Sequence, residues 1–318
     1  MLPDKFNRSV DLIQIAASGT CQYACPHCAA GAPAPAYELF PTNYLLRFLR
    51  MMGTLGLKRV RITGGGEPLL RPDIVDLVAG LASGRIFDEV TMATNGALLP
   101  SFVERLKDAG LDRLLITIPS LDKDVFTSIA GSDGLAAALA GLDAALERQI
   151  PVTIKMTIHA EATIDGIERM MDFAVERRTD LFVEDPFKCD GDKDAITSGM
   201  ILARLESKFK LEKIEAKSKP GARYSIKGTD THLKLLTSDI RRTCGTCDRF
   251  WLSPDGVLSV CTGVLTQVSL NAFFEEDPSD EELAQWCVKI AMAKPMHRRS
   301  ACSIPRTPSD NPAVSFLG

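Results

Sequence analysis

Short apolar runs alternate along the first part of the chain with segments whose apolar positions recur every three or four residues. Residues 10–17, 59–63, 89–93, 113–118, 152–158 and 181–183 are the runs and read as strands. Residues 42–52, 73–81, 101–109, 123–129, 135–149 and 164–176 carry the longer period and read as amphipathic helices. Six strands alternating with helices at this spacing imply an α/β fold with a parallel sheet. Whether such a sheet stays open or curls into a barrel, ligands belong at the carboxyl ends of its strands. Beyond about residue 187 the rhythm changes. A helix over 197–209 leads to shorter strands at 223–226 and 232–236. A hairpin of 250–253 and 257–260 then turns on Pro254-Asp255-Gly256. A last helix, 280–294, opens with Ser279 as N-cap and Glu282 three residues on, a capping box. Three segments are therefore expected: a main α/β domain over 1–187, a small α+β domain over 188–298, and a Pro- and Ser-rich tail over 299–318.

Charge adds little to this picture. Charged residues are 25% of the 318 and the formal net charge is −4, so no electrostatic footprint points to nucleic acid or to an acidic membrane. No apolar run approaches the roughly 18 residues of a membrane span, and no basic segment precedes an apolar signal core. The expectation is a soluble cytoplasmic protein with a small-molecule partner.

Cysteine changes the picture. Of nine cysteines, six fall into two tight groups, Cys21, Cys25, Cys28 and Cys244, Cys247, Cys261. Grouped cysteines in a cytosolic chain are more often metal or cluster ligands than disulfides. The first group directly follows the first strand, and its uneven spacing suits an iron–sulfur cubane better than tetrahedral zinc. A four-iron cluster on three thiolates keeps one iron open for a substrate or cosubstrate. Zinc is the alternative for each group and would need a fourth protein ligand, as in a zinc knuckle at the second. Cys189, Cys287 and Cys302 are candidates for such a ligand or for a catalytic thiol, against a plain reading as buried or incidental cysteines. The run Gly64-Gly65-Gly66-Glu67-Pro68 follows the second strand and Thr94-Asn95-Gly96 the third, so both share a strand end with the cysteine loop.

Cys21-x3-Cys25-x2-Cys28, Gly65-Gly66-Glu67 and Thr94-Asn95-Gly96, each after its strand, resemble the radical SAM superfamily. The resemblance implies a partial (β/α)6 TIM-like barrel. It also implies a [4Fe-4S] cluster on Cys21, Cys25 and Cys28 whose open iron binds the amino and carboxylate groups of S-adenosylmethionine (SAM). In that family an electron from the cluster cleaves the sulfonium to a 5′-deoxyadenosyl radical, which abstracts hydrogen from substrate. Gly65, Gly66, Glu67, Thr94 and Asn95 would bind SAM, His27 stands where an aromatic residue contacts the adenine, and Thr117 matches a SAM-binding serine. An external electron donor such as flavodoxin or ferredoxin is implied as well.

Further segments are similar to the GTP 3′,8-cyclase family of molybdenum cofactor synthesis. They are Arg61-Ile62-Thr63, Glu67-Pro68-Leu69-Leu70-Arg71, Ser120-Leu121-Asp122, Gly221-Ala222-Arg223-Tyr224, Cys244-x2-Cys247-x13-Cys261 and Ala293-Lys294-Pro295. That family implies a second [4Fe-4S] cluster on Cys244, Cys247 and Cys261, facing the first across the barrel mouth. The departures are equally specific. Gln14 stands where the family has an arginine, and Arg249 and Trp251 stand where it has two. Thr153 replaces a lysine, with Lys155 two residues on, and the chain ends Ser315-Phe316-Leu317-Gly318 without a Gly-Gly tail. Arginine forks are how a site grips a triphosphate. Their loss leads to the expectation of a less anionic substrate, a sugar, nucleoside or amino-acid-derived metabolite, touched by Arg61, Lys155, Arg249 and Trp251. Rearrangement, bond formation, epimerisation or oxidation would follow hydrogen abstraction. The alternatives are GTP cyclisation, modification of a peptide, and a non-catalytic zinc or cluster protein.

Overall fold

The computed structural model describes residues 2–26, 28, 38–158, 163–184, 196–215, 221–237, 244, 245, 247–261 and 267–296. Six strands form in the expected places: β1 Leu12–Ala16, β2 Arg59–Thr63, β3 Glu89–Thr94, β4 Arg113–Thr117, β5 Val152–Thr157 and β6 Asp180–Glu184. Each pairs in parallel with the next. The helices between them are α1 Thr42–Thr54, α2 Ile74–Ala82, α3 Val103–Asp108, α4 Lys123–Ala130, α5 Leu135–Glu147 and α6 Ile164–Glu176. This is the partial (β/α)6 barrel.

Parallel strands buried on both faces read as continuous apolar runs. Several of these instead alternate, β2 and β5 most clearly. Ile13, Ile15, Val60, Ile62, Ile154 and Met156 point outward into the core beneath the helices. Their neighbours Gln14, Arg61 and Lys155 therefore point inward, because successive side chains take opposite faces. The inner face carries a small apolar cluster of its own, Leu115, Phe182 and Leu236 with Ala93 against it. A polar inner wall is the mark of a lumen that receives a ligand.

The rest of the chain extends both edges of this barrel. Helix α7, Ser198–Glu206, precedes β7 Leu211–Ile214, β8 Ala222–Ile226 and β9 His232–Leu236. Then come β10 Arg249–Leu252, β11 Val257–Ser259, β12 Gln267–Ser269, α8 Leu270–Phe274 and α9 Asp280–Ala293. One sheet of 12 strands results, in the order β12-β11-β10-β1-β2-β3-β4-β5-β6-β9-β8-β7. The hydrogen-bonded sheet thus runs across the domain boundary expected at 187. β9 lies parallel to β6 and β10 parallel to β1, so the small domain supplies walls to both sides of the lumen. Helix α9 is fastened back on the barrel by Trp286 against Phe48, ring centroids 6.2 Å apart, and by Arg47 to Asp280 at 2.8 Å.

Strands β7 and β12 and helix α8 are additions to the sequence reading. β7, Leu-Glu-Lys-Ile, is largely exposed with its two apolar residues at opposite ends, and β12 has three residues, so neither carries a hydrophobic period. Among the described residues no single helix is long and apolar enough to cross a membrane; α4 and α5 pass that test only as a pair, bent by 97°.

Candidate active site

The first thiol group leaves the carboxyl end of β1 on a loop held from two sides. On one side the glycine run closes against it. Glu67 N–H donates to Thr20 O at 2.7 Å, and a Cβ on Gly66 would stand 2.0 Å from that oxygen, so only glycine permits the approach. On the other side Tyr23 anchors the loop to the α4–α5 connection. Its hydroxyl donates to Gly134 O at 3.2 Å, and its ring meets Phe126 edge-on at 6.2 Å. Cys28 N–H returns to Cys25 O at 3.0 Å, which brings the last two thiols round one turn.

Glu67 is the splint between strand ends. Only 2% exposed, its carboxylate accepts from Thr94 Oγ1 at 2.6 Å, Asn95 N–H at 2.9 Å and Leu69 N–H at 3.2 Å. Burial raises its pKa while these donors oppose the shift. A carboxylate has about four acceptor positions, and these bonds take three. Asn95, fixed by this splint, sends Nδ2 to Cys21 Sγ at 3.7 Å and receives Gln22 Nε2 at 3.0 Å. The turn after β3 therefore touches the thiol loop directly.

Do these residues fit an iron–sulfur cluster and SAM? The seven described cysteines, the two groups and Cys287, are all free of disulfides. Among the described residues no three Cys, His, Asp or Glu side chains converge as a single metal ion requires. The three thiols nevertheless lie within electrostatic reach of one another. Burial and the nearness of Cys28 and Cys21 push the Cys25 thiol up to about 11, so the loop favours thiolates only with cationic metal among them. Thiols set wider than a one-ion site suit a cubane. The glycine run beside them offers backbone edges without side chains, as close approach of a cosubstrate needs. The fit is good.

The second thiol group occupies the other end of the lumen, which corrects the expected face-to-face arrangement at the barrel mouth. Cys244 and Cys247 precede β10, whose first residue Arg249 is level with Leu12 at the start of β1. Cys261 follows β11, which runs antiparallel to β10 and returns to that same end. The first group follows the far end of β1, so the groups are separated by at least the length of that strand, roughly 15 Å at about 3.3 Å per residue. A hairpin reads from sequence, but its direction relative to β1 depends on strand order.

Two buried cations enclose this end. Lys294, 1% exposed at the C-cap of α9, donates from Nζ to Arg249 O at 2.6 Å and to Val260 O at 2.9 Å, and it bonds the Cys247 thiol. Its three donors are thereby used. Arg8 pairs with Asp4 at 2.6 Å and sends its guanidinium to the carbonyls of Cys244 and, at 2.7 Å, of Pro295. The thiols are held by the chain that precedes β1 and by the chain that ends α9.

Between the two ends the lumen is cationic. Lys155, Phe182, Lys234 and Arg223 stand level across β5, β6, β9 and β8. Trp251, Gln14 and Arg61 stand level across β10, β1 and β2. Lys155 pairs with Glu184 at 2.6 Å, and Arg249 pairs with Asp248 at 3.1 Å while donating to Gln14 Oε1 at 3.4 Å. Arg61 and Arg223 differ: the Nε of each is buried with no hydrogen-bond partner. Burial, then the charges of Arg249 and Arg59, lower the pKa of Arg61. Lys234 rests over the Phe182 ring, Nζ 4.4 Å from its centroid. A buried guanidinium left unsatisfied is costly, and several like charges together are more so. The arrangement leaves two buried donors facing the lumen without an acceptor.

The sequence-predicted residues thus divide. Cys21, Cys25, Cys28, Gly65, Gly66, Glu67, Thr94 and Asn95 share one end, with half-buried Thr117 on β4. Arg61, Lys155, Arg249 and Trp251 line the lumen. His27, Cys189 and Cys302 lie outside the described residues. Cys287 is buried inside α9, its thiol pushed up to about 12 by burial, which suits an inert core residue. Sequence reading missed Lys234 altogether, and it saw Arg223 and Lys294 only as parts of motifs. Alternation along residues 232–236 was the available signal for Lys234, but it does not say whether the polar face looks to water or inward.

Comparison with known proteins adds the following. Residues 15–174 match the family model described as the radical SAM superfamily, and residues 185–299 match Molybdenum Cofactor Synthesis C. The GTP 3′,8-cyclase of Hydrogenovibrio crunogenus is 30% identical over 308 residues, covering 92% of this chain and 93% of that protein. The GTP 3′,8-cyclase of Corynebacterium glutamicum strain ATCC 13032 is 30% identical over 322 residues, 93% of this chain and 84% of its own. In fold the chain resembles Streptococcus suis SuiB bound to S-adenosylmethionine, with TM-score 0.63 at 14% identity over 88% of this chain and 68% of that one. It also resembles anSMEcpe with bound AdoMet, TM-score 0.53 at 13% identity over 79% and 73%.

Proposed function

Since the chain belongs to the radical SAM superfamily, in the branch that joins this domain to a molybdenum cofactor synthesis C region, we propose that its substrate is a phosphate-bearing anion held in the cationic lumen, with GTP the first candidate. The enzyme uses two [4Fe-4S] clusters and SAM, and it needs a reductant. In this reading Cys21, Cys25 and Cys28 hold one cluster, and Cys244, Cys247 and Cys261 hold the other. The group at the first end supplies, on one-electron reduction, an organic radical able to take a hydrogen atom from substrate.

The chain's own residues do the rest. Gly65 and Gly66 admit the cosubstrate to the backbone, and Glu67 fixes Thr94 and Asn95 against the thiol loop while its remaining acceptor position faces the cosubstrate amine. Thr117 and His27 belong to the same cosubstrate site. Arg61 and Arg223, each with an unpartnered Nε, turn to the substrate phosphates, joined by Lys155 and Arg249. Trp251 and Phe182 offer flat faces to a base or sugar. The buried Nε atoms of Arg61 and Arg223 are the observation that carries this reading, because each is a donor to which no described residue offers an acceptor, and a phosphate oxygen would serve.

This reverses the expectation of a less anionic substrate, which rested on Gln14 and Trp251. The relatives named GTP 3′,8-cyclase favour closure between C3′ and C8 of GTP. Gln14, spending its carbonyl on Arg249, favours a second reading, a different phosphorylated metabolite. The test is anaerobic turnover of the reconstituted enzyme with SAM, a flavodoxin or chemical reductant, and GTP deuterated at C3′. Deuterium in 5′-deoxyadenosine, together with a cyclised GTP, is the expected outcome. SAM cleavage without GTP consumption or deuterium transfer would reject GTP.

A further inference from the structure

The lumen cations are of two kinds. Guanidinium groups keep their proton under any condition a folded protein meets. Lysine can lose its own, and Lys234 sits where it is pressed to do so. Arg61 on β2, Arg223 on β8 and Arg249 on β10 all act on it, with Lys155 on β5 level with it beyond Phe182. Glu184 on β6 is the opposing carboxylate, and Lys155 already holds it at 2.6 Å. On its own strand His232 is turned to Asp180 at 3.1 Å. What Lys234 does contact is the Phe182 ring, at 4.4 Å.

We infer that Lys234 is a specificity-determining residue whose charge is formed by the substrate: crowded by Arg223 beside it and Lys155 beyond Phe182, with Glu184 already spent on Lys155, it gives up its proton in the free enzyme and takes one from solvent as the anion enters. The inference rests on the proposed anionic substrate and deepens it. Burial, followed by the charges of Arg61, Arg223 and Arg249, pushes the ammonium down to about 7, Glu184 opposing. An anion reverses the sign of the local potential. Protonation then adds a charge-assisted contact without adding to the repulsion of the empty site. The reaction balances as free amine, proton and anion giving the ammonium–anion pair, with no redox change. An uncharged competitor such as guanosine cannot draw that proton and is disfavoured.

The experiment is calorimetric titration of GTP, and separately of inorganic tripolyphosphate, into the anaerobic two-cluster holoenzyme at pH 8 in buffers of different ionisation enthalpy. From a free-enzyme value of about 7, wild type takes up about 0.9 proton per ligand more than Lys234→Met or Lys234→Arg. Between pH 8 and 9 wild-type affinity falls about tenfold relative to Lys234→Arg, which carries its charge permanently. Equal proton uptake in wild type and Lys234→Arg overturns the role of Lys234 and leaves the anionic reading standing. Binding of neither GTP nor tripolyphosphate overturns the anionic reading itself. Should Lys234→Met fail to fold, Lys234→Arg alone decides the matter, since a permanent cation cannot show the linked proton.

Discussion

The two thiol ends of the lumen are built with opposite electrostatics. At the Cys21 end, among the described residues, the buried carboxylate of Glu67 acts on the thiols, and Asn95 and bare glycine backbone lie beside them. At the Cys247 end Lys294 and Arg8 are buried around the thiols, and every donor of Lys294 is already engaged. The first end presents a carboxylate, as a cosubstrate with an ammonium and a sulfonium requires. The other is closed and electropositive, and the cations of the lumen continue that charge inward. A cationic cosubstrate and an anionic substrate can therefore enter one barrel without competing for a single site.

The largest test of this contrast is removal of each thiol group in turn. Cys21, Cys25 and Cys28 to Ala should abolish SAM cleavage and lower iron from about eight to about four per chain. Cys244, Cys247 and Cys261 to Ala should halve iron as well, yet leave substrate-independent SAM cleavage measurable by 5′-deoxyadenosine release. Loss of cleavage in both would collapse the division of labour.

Next in size is the lumen itself. Each charge-assisted bond is worth about 1.5–3 kcal/mol, so Arg61→Leu combined with Arg223→Leu should weaken GTP binding by about 100-fold or more. SAM binding, read by equilibrium dialysis, should be unchanged. The same double variant should unfold at higher urea than wild type, because two buried cations, each with an unpartnered Nε, are gone. A more modest effect is expected at the closed end. Lys294→Met leaves the carbonyls of Arg249 and Val260 without their donor and should cost about 2 kcal/mol in urea unfolding of the holoprotein. The reduction potential of the second cluster should fall as its nearby cation is lost. Smallest is Gly66→Ala, whose Cβ must displace Thr20 O. SAM affinity should fall at least tenfold while GTP affinity holds, since the displacement of about an ångström that relieves a 2.0 Å contact is confined to one end of the lumen.

The barrel strands were legible because each is a short apolar run between helical periods, and residues 164–176 even matched their helix, α6, end to end. The thiol groups were legible from spacing alone. Less could be read wherever strand order decides the outcome. β9 joins β6 and β10 joins β1, neither its neighbour in sequence, and both placements turn polar faces inward. Nothing in the short strand that carries Lys234 says which way its polar face looks; its pairing with β6 turns Lys234 inward. The placement of the second thiol group was misjudged for the same reason. The expectation of a less anionic substrate rests on Gln14 and Trp251, whereas the proposed anion rests on the cations that β8 and β9 bring to the lumen, a placement set by strand order.

The central claim is that this lumen is built for a phosphate-bearing anion. Equilibrium binding of GTP and of guanosine to the anaerobic holoenzyme, at equal ionic strength, tests it most directly. The account predicts that GTP binds at least about 100-fold more tightly than guanosine, consistent with two or more charge-assisted contacts. Equal affinities, or guanosine binding the more tightly, would contradict it.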